Sequence, residues 1–189
     1  MYADRTAAGR ALGESLGERR ICPDVVLAIG EDGARVARPV ADRFDATLGA
    51  MATAPVRASD DALPIGAVTD TGHAWVDDRL VEAFAVDDDR LDDEKHRAFR
   101  EARTGRPDDV DTAPTPEGTV TLVDDGVVTG RAMKACASAL SRVETCDVVA
   151  ATPVGPPEAV AELHAVADAV VVPETTPTSA LLEQCYGDG

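Results

Sequence analysis

The sequence is poor in basic residues. Its 189 residues include 18 Lys and Arg against 35 Asp and Glu, which gives a formal net charge of −17, and only two of the cations are lysines, Lys95 and Lys134. A surface this negative repels the phosphates of nucleic acids and the headgroups of anionic lipids. We therefore expect neither a nucleic acid nor a membrane surface as a partner.

The excess acid is concentrated in short aspartate runs, at residues 87–89, 92–93 and 108–109. Neighbouring carboxylates repel one another in dilute buffer, and concentrated salt screens that repulsion to within about 3 Å at 1 M. The pattern predicts a halophilic protein that is less stable at low salt. An ordinary acidic surface is the alternative.

Cysteine pairs and long apolar runs are also missing. Cys22, Cys136, Cys146 and Cys185 show no CxxC spacing, which argues against a zinc site or a disulfide framework and predicts buried free thiols. There is no GxSxG elbow of serine hydrolases and no Walker loop of P-loop NTPases. No apolar run approaches 18 residues, and the first 20 residues lack the apolar stretch of a signal peptide, so we expect a cytoplasmic protein.

Apolar runs alternate with amphipathic stretches along the chain, which predicts an α/β domain with parallel strands and crossover helices. The length suits a single domain, residues 1–189. Helices are predicted over residues 4–20, 34–44, 94–103, from 131, and 157–166. Strands are predicted over residues 24–29, 46–53, 63–68, 120–123 and 170–172. Trp75 is expected in a strand or hairpin near the sheet edge.

Residues 86–118 form a charge-rich stretch, which we interpret as a flexible insertion of loop and helix. Its turn-rich part, PDDVDTAPTPEG, is typical of a solvated loop, and a lid over a site is the alternative. Arg97, Arg100 and Arg103 fall near one helical face. They either pair with neighbouring acids or await an anionic ligand.

The most informative stretch is TVTLVDDGVVTGRAM, residues 119–133. An apolar strand ends in Asp124 and Asp125, a turn spans Gly126–Gly130, and a helix begins at Arg131. Ligands of open parallel sheets bind at the carboxyl ends of the strands, and a turn that leads into a helix N-terminus offers backbone N–H groups to a phosphate. Adjacent carboxylates beside a phosphate site suit a ligand that also brings hydroxyls or a divalent cation.

This stretch resembles the ribose-phosphate loop of the type I phosphoribosyltransferases, which follows an apolar strand with two acidic residues, a short turn and Thr-Gly. The resemblance extends over nearly the whole chain to a poorly characterised bacterial and archaeal branch, of which this chain looks like a haloarchaeal member. The segments ADRTAAGRALGESL, IGAV and VVAATPVGPPEAV match that branch in order. The resemblance implies a central parallel sheet flanked by helices, with a small hood.

The resemblance also implies a ligand, phosphoribosyl pyrophosphate with Mg²⁺, or ribose 5-phosphate or a nucleotide, and a homodimer is common in the family. Asp124 and Asp125 would contact the ribose hydroxyls, directly or through the waters of the metal, and they are the candidate catalytic residues. The 5-phosphate would be held by the loop. The candidate ribose-phosphate residues are Asp124, Asp125, Gly126, Val127, Val128, Thr129, Gly130, Arg131 and Ala132.

The sequence departs from the family pattern at the cationic elements. The branch usually carries Pro-Arg-Gly-Gly after its first strand, a loop that holds pyrophosphate, and Gly30, Glu31, Asp32 and Gly33 stand there instead. We interpret this as a degenerate pyrophosphate loop in which two carboxylates replace a cation. A second basic element is also missing, and Arg35, Arg38 or Arg57 are the candidates to replace the lost charge.

The loop itself departs from the family at Ala132 and Val128. Ala132 replaces the final hydroxyl residue, for which Arg131 could compensate by charge, and Val128 replaces the carboxylate of purine salvage members. Three functions fit these observations. They are a phosphoribosyltransferase acting on an unidentified nitrogenous base, a ribose-phosphate or nucleotide-binding regulatory module of the same fold, and a structural protein with a vestigial pocket.

Overall fold

The computed structural model describes residues 2–59, 63–105, 117–143, 146–177 and 185–186. The helices in chain order are α1 (Arg5–Glu18), α2 (Gly30–Phe44), α3 (Asp78–Ala83), α4 (Asp88–Ala102), α5 (Arg131–Leu140) and α6 (Pro157–Leu163). The strands are β1 (Val25–Ile29), β2 (Thr47–Met51), β3 (Thr53–Arg57), β4 (Pro64–Thr69), β5 (Ala74–Val76), β6 (Gly118–Val123), β7 (Cys146–Ala151), β8 (Val154–Gly155), β9 (Ala169–Val171) and β10 (Glu174–Thr175).

Five parallel strands form the centre of the molecule, in the order β2-β1-β6-β7-β9. All five residues of β1 are buried, as expected of a strand covered on both faces. One face packs against Met133, Leu140 and Leu163 of α5 and α6, and the other against Leu12 and Val36 of α1 and α2. The predicted parallel sheet flanked by helices is confirmed.

A second, antiparallel sheet in the order β3-β4-β5 forms the hood, and β8 and β10 make a short separate pair. Helix α4 covers the hood through Ala98 and Ala102. The strand predicted over residues 46–53 is wrong in its extent, because the chain leaves the parallel sheet after Met51 and Thr53 already belongs to the hood. Trp75 lies in β5, in a hairpin with β4 as predicted.

Several predicted helix boundaries are also wrong. Helix α2 begins at Gly30, not at residue 34, so the segment predicted as a loop is the first helical turn. Helix α4 begins at Asp88 because the Asp87 side chain caps it, accepting a hydrogen bond from the Arg90 amide at 2.9 Å. Helix α6 ends at Leu163, three residues early. The predicted loop over residues 107–118 lies mostly outside the described residues.

The structure also shows the surroundings of Arg97 in α4 and of the cysteines. Arg97 pairs with Glu94 at 3.0 Å and with Glu101 at 2.6 Å, and its Nη2 donates to the Pro55 carbonyl of β3 at 2.9 Å. It therefore pairs with neighbouring acids and ties α4 to the hood. All four cysteines are free, but only Cys136 is buried and Cys22 is exposed, which corrects the prediction of buried thiols. In the part of the chain that the structure describes, no helix is both long and apolar enough to cross a membrane.

Candidate functional site

The two predicted acidic residues lie at the carboxyl end of β6, between β1 and β7 in the middle of the parallel sheet. The Asp124 amide donates to the carbonyl of Ala151 at 3.3 Å, which ties the strand end to β7. The Asp125 amide donates to Oδ1 of Asp124 at 2.9 Å. Asp125 is buried, at 9% exposed, and Asp124 is half-buried.

Arg5, from the first turn of α1, is the ionic partner of this acid pair. Its Nε and Nη2 donate to Oδ2 of Asp125 at 3.0 and 2.8 Å. Its Nε also lies 3.3 Å from Oδ1 of Asp32, in the first turn of α2. One guanidinium therefore contacts a carboxylate at the end of β6 and another at the start of α2.

Two tyrosines cover Arg5 and Asp125. The Tyr186 hydroxyl donates to the backbone carbonyl of Asp125, and the Arg5 guanidinium lies over the Tyr186 ring at 4.8 Å. The rings of Tyr2 and Tyr186 are 6.3 Å apart, and the Tyr2 amide donates to the Cys185 carbonyl at 2.9 Å. These contacts join the residues before α1 to residues 185–186, next to Asp125.

Burial sets the protonation behaviour of the acid pair. Desolvation, and then the charge of Asp125, raise the pKa of Asp124 well above its usual range. Desolvation also raises the pKa of Asp125, although the hydrogen bond and the charge of Arg5 oppose that rise. The pair is therefore short of compensating partners, and a ligand that supplies hydroxyl donors or positive charge would stabilise its ionised form.

The predicted turn after the acid pair is present, and it leads directly into α5. The Val127 amide donates to the carbonyl of Val154 at 3.0 Å, and Gly130, with φ of 66°, makes the left-handed turn into the helix. No acceptor among the described residues meets the backbone N–H groups that follow. Those unpartnered groups belong to Val128, Thr129, Gly130, Arg131 and Ala132.

Arg131 lines a small cavity together with Val128 and Thr129 of this loop. Its Nε and Nη1 are buried with no hydrogen-bond partner among the described residues, and Asp77 and Glu162 are its charged neighbours. Desolvation lowers its pKa. Lys134 pairs with Glu162 and lies over the Trp75 ring at 4.5 Å. The cavity has a volume of about 180 Å³, and these residues line it together with the start of α6.

The residues predicted as a pyrophosphate loop form the first turn of α2, beside the end of β6. A Cβ at Gly33 would lie 3.0 Å from the Val123 carbonyl oxygen, so glycine permits α2 to approach β6 this closely. Glu31 and Asp32 are 77% and 52% exposed, and Arg35 pairs with them at 3.2 and 3.7 Å. Carboxylates in a first helical turn are stabilised by the helix dipole, which explains them without any ligand.

The sequence analysis missed Arg5. Its partner Asp125 is 120 residues away, and nothing in the local pattern of α1 distinguishes Arg5 from the exposed Arg10. Of the three arginines predicted to replace the lost cation, Arg35 pairs along the surface of α2. Arg57 ends β3 in the hood, where its backbone contacts Glu94.

Comparisons with known proteins support the family resemblance. No family model matches the chain. The chain is 31% identical over 180 residues to proteins named "Putative phosphoribosyl transferase" in two strains of Mycobacterium tuberculosis, CDC 1551 and H37Rv; the match covers 90% of the chain. The chain spans 40% of the length of each of these relatives.

Two solved structures extend the comparison to the fold. TT1426 from Thermus thermophilus is 31% identical, with a TM-score of 0.78 over 100% of this chain and 91% of that one. The adenine phosphoribosyltransferase of Rhodothermus marinus is 13% identical and shares the fold, with a TM-score of 0.50 over 89% of this chain and 77% of that one. On its sequence relatives and its fold together, the chain belongs to the type I phosphoribosyltransferase family.

Proposed function

We propose that the chain binds phosphoribosyl pyrophosphate and transfers its ribose 5-phosphate to a nitrogenous base, with release of pyrophosphate. One observation carries this proposal. Asp124 and Asp125 directly follow the central strand of the sheet, and a loop whose backbone amides have no acceptor among the described residues leads from them into α5. Carboxylates for hydroxyls and amides for a phosphate, a few residues apart, are the two recognition elements that a ribose 5-phosphate requires.

In the proposed reaction the chain contributes position and charge. The amides of Val128 to Ala132 and the N-terminus of α5 hold the 5-phosphate. Asp124 and Asp125 accept hydrogen bonds from the ribose hydroxyls. As the bond from the anomeric carbon to pyrophosphate breaks, the sugar gains positive charge, which the two carboxylates stabilise. A ring nitrogen of the base forms the new bond to that carbon and loses its proton to solvent.

Magnesium is part of this proposal, and the acid pair suits it. Mg²⁺ is usually held by one or two carboxylates together with substrate phosphates, and it keeps several waters. Asp124 and Asp125 would be its protein ligands, because each carboxylate keeps one oxygen outside the hydrogen bonds to Arg5 and to the Asp125 amide. The ion would neutralise charge on the departing pyrophosphate. Among the described residues there is no cluster of three or more side chains suited to a metal.

The test is a ligand-induced shift of the melting temperature in about 2 M KCl. Phosphoribosyl pyrophosphate with Mg²⁺ and ribose 5-phosphate should each raise it by about 5 to 10 °C at 100 times their dissociation constants, which corresponds to about 2.7 kcal/mol. Pyrophosphate release would then be assayed with a panel of nitrogenous bases. If neither sugar phosphate shifts the melting temperature, the proposal is wrong.

One observation favours a second candidate, a regulatory module that binds ribose 5-phosphate or a nucleotide without using pyrophosphate. Glu31 and Asp32 place two carboxylates where the family usually holds pyrophosphate with a cation. An anion about 5 Å from such a carboxylate meets a repulsion of roughly 3 kcal/mol at an effective dielectric of 20, and less at this exposure. A melting shift with the monophosphates but none with phosphoribosyl pyrophosphate or pyrophosphate would favour this function.

A further inference from the structure

Arg5 links the two ends of the proposed site. Its guanidinium lies 2.8 Å from Oδ2 of Asp125 and 3.3 Å from Oδ1 of Asp32, and its side chain is 26% exposed. Asp125 belongs to the proposed ribose end and Asp32 to the turn where pyrophosphate is expected. A cation that contacts both carboxylates stands at the boundary between these ends.

The hydrogen bonds of Arg5 leave part of its donor capacity unused. A guanidinium has five N–H donors, and the hydrogen bonds to Asp125 use Nε and Nη2. Nη1 makes no hydrogen bond to any described residue. The arginine can therefore keep its hold on Asp125 and still donate to one more acceptor.

Helix packing does not explain why an arginine is needed at this position. Apolar and small residues already dock α1 on α2, since Leu12 and Leu16 are fully buried and Gly9 packs against the Val36 carbonyl. The ion pair, in contrast, places a half-buried positive charge in contact with two carboxylates, those of Asp32 and Asp125.

We propose that Arg5 binds the pyrophosphate group of phosphoribosyl pyrophosphate and so supplies, from α1, the positive charge that the first turn of α2 lacks. This inference rests on the proposed function. Arg5 holds Asp125 with one edge of the guanidinium and donates from Nη1 to a pyrophosphate oxygen, in a charge-assisted hydrogen bond. The competing interpretation is that Arg5 only occupies Asp125, in which case its removal would open the acid pair to ligands.

The experiment is calorimetric titration of phosphoribosyl pyrophosphate, pyrophosphate and ribose 5-phosphate, each with Mg²⁺, into the wild-type chain and three variants. Arg5→Met removes the charge and Arg5→Lys keeps it without the planar fork. Arg10→Met is the matched control, because Arg10 is exposed on the same helix. Circular dichroism verifies that each variant is folded, and Arg5→Lys decides the question if Arg5→Met is not.

The expected result is selective. Arg5→Met lowers the affinity for phosphoribosyl pyrophosphate and for pyrophosphate by about 10- to 100-fold, which is the contribution of a charge-assisted hydrogen bond. It changes the affinity for ribose 5-phosphate by less than about 5-fold. Arg5→Lys falls between Arg5→Met and the wild type, and Arg10→Met behaves as the wild type.

Four results would overturn the inference. If Arg5→Met leaves the ratio of the two sugar phosphate affinities unchanged, Arg5 does not touch pyrophosphate, and the proposed function survives. If Arg5→Met binds phosphoribosyl pyrophosphate more tightly, Arg5 is a competitor for Asp125. If the wild type binds ribose 5-phosphate alone, the regulatory function replaces both proposals, and binding of none of the three removes the proposed function as well.

Discussion

Two strand-to-helix turns lie side by side at the carboxyl edge of the sheet, and they differ in how they could hold an anion. β1 and β6 are hydrogen-bonded neighbours, and each turn contains a glycine with a left-handed backbone, Gly30 at φ of 69° and Gly130 at φ of 66°. After β1 the helix starts at once, with Glu31 and Asp32 in its first turn. After β6 seven residues intervene, and the amides at their end meet no acceptor in the part of the chain that the structure describes.

The difference separates backbone recognition from side-chain recognition. A loop such as residues 126–130 can wrap a phosphate whatever its side chains are, because the amide groups do the binding. A helix that begins directly after its strand has no such loop, and its first-turn carboxylates oppose an anion. Binding at that turn therefore depends on a charge brought from elsewhere, and Arg5 is the cation that contacts it from another element.

Removing the acid pair is the strongest way to break the comparison. Asp124→Asn combined with Asp125→Asn should lower the affinity for ribose 5-phosphate and for phosphoribosyl pyrophosphate at least about 100-fold, because hydrogen bonds to charged groups contribute about 1.5 to 3 kcal/mol each. Pyrophosphate release should be abolished. Asp42→Asn, at an exposed position on α2, is the control. An unchanged affinity or rate in the double variant would remove the site assignment.

Disturbing the docking of α1 comes next. A Cβ at Gly9 would overlap the Val36 carbonyl oxygen, so Gly9→Ala should lower the free energy of unfolding by about 2 kcal/mol. Gly17→Ala in the same helix meets only ordinary contacts, the nearest at 3.5 Å, and should be neutral or slightly stabilising. Urea denaturation measures both. Equal effects at the two positions would mean that α1 does not pack closely at Gly9.

Neutralising the first turn of α2 sharpens the contrast between the two ends. Asp32→Asn should raise the affinity for phosphoribosyl pyrophosphate about 3- to 10-fold, because a repulsive charge of roughly 1 kcal/mol is lost and Arg5 is freed from one partner. Glu31→Gln, at the more exposed position, should have a smaller effect. The two titrations test whether these carboxylates face the ligand at all, and equal affinities for both variants and the wild type would show that they do not.

Raising the salt concentration should have a smaller effect than the principal substitutions above. Raising KCl from 0.1 to 2 M screens exposed carboxylates such as those of Glu31 and the α4 aspartates, while the buried Asp125 is affected less. The melting temperature should increase by at least about 3 °C, on the order of 1 kcal/mol for a domain of this size. A melting temperature that does not change across the series would contradict the halophile hypothesis.

The sequence predicted the parts of this structure that depend on local pattern. β1 and β6 are short apolar runs with all or most of their residues buried. Because the acid pair and the loop follow β6 directly, one continuous stretch of sequence was enough to predict the strand, the position of the candidate site and the start of the next helix. The predicted extent of β2 was wrong because an apolar run does not show where the chain leaves one sheet and enters another. Arg5 was out of reach, because its role depends on helix packing that brings it to a residue 120 positions away.

The docking of α1 against α2 through Gly9 brings Arg5 to the acid pair, so the proposed site is encoded in two separate parts of the sequence. The cradle for a phosphate is encoded in one continuous stretch, residues 119–133, whereas the charge beside it is encoded in a helix more than one hundred residues earlier. A mutation in α1 can therefore change which anions the site accepts without touching the cradle. Divergence of ligand preference among relatives of this chain should be sought first in that helix.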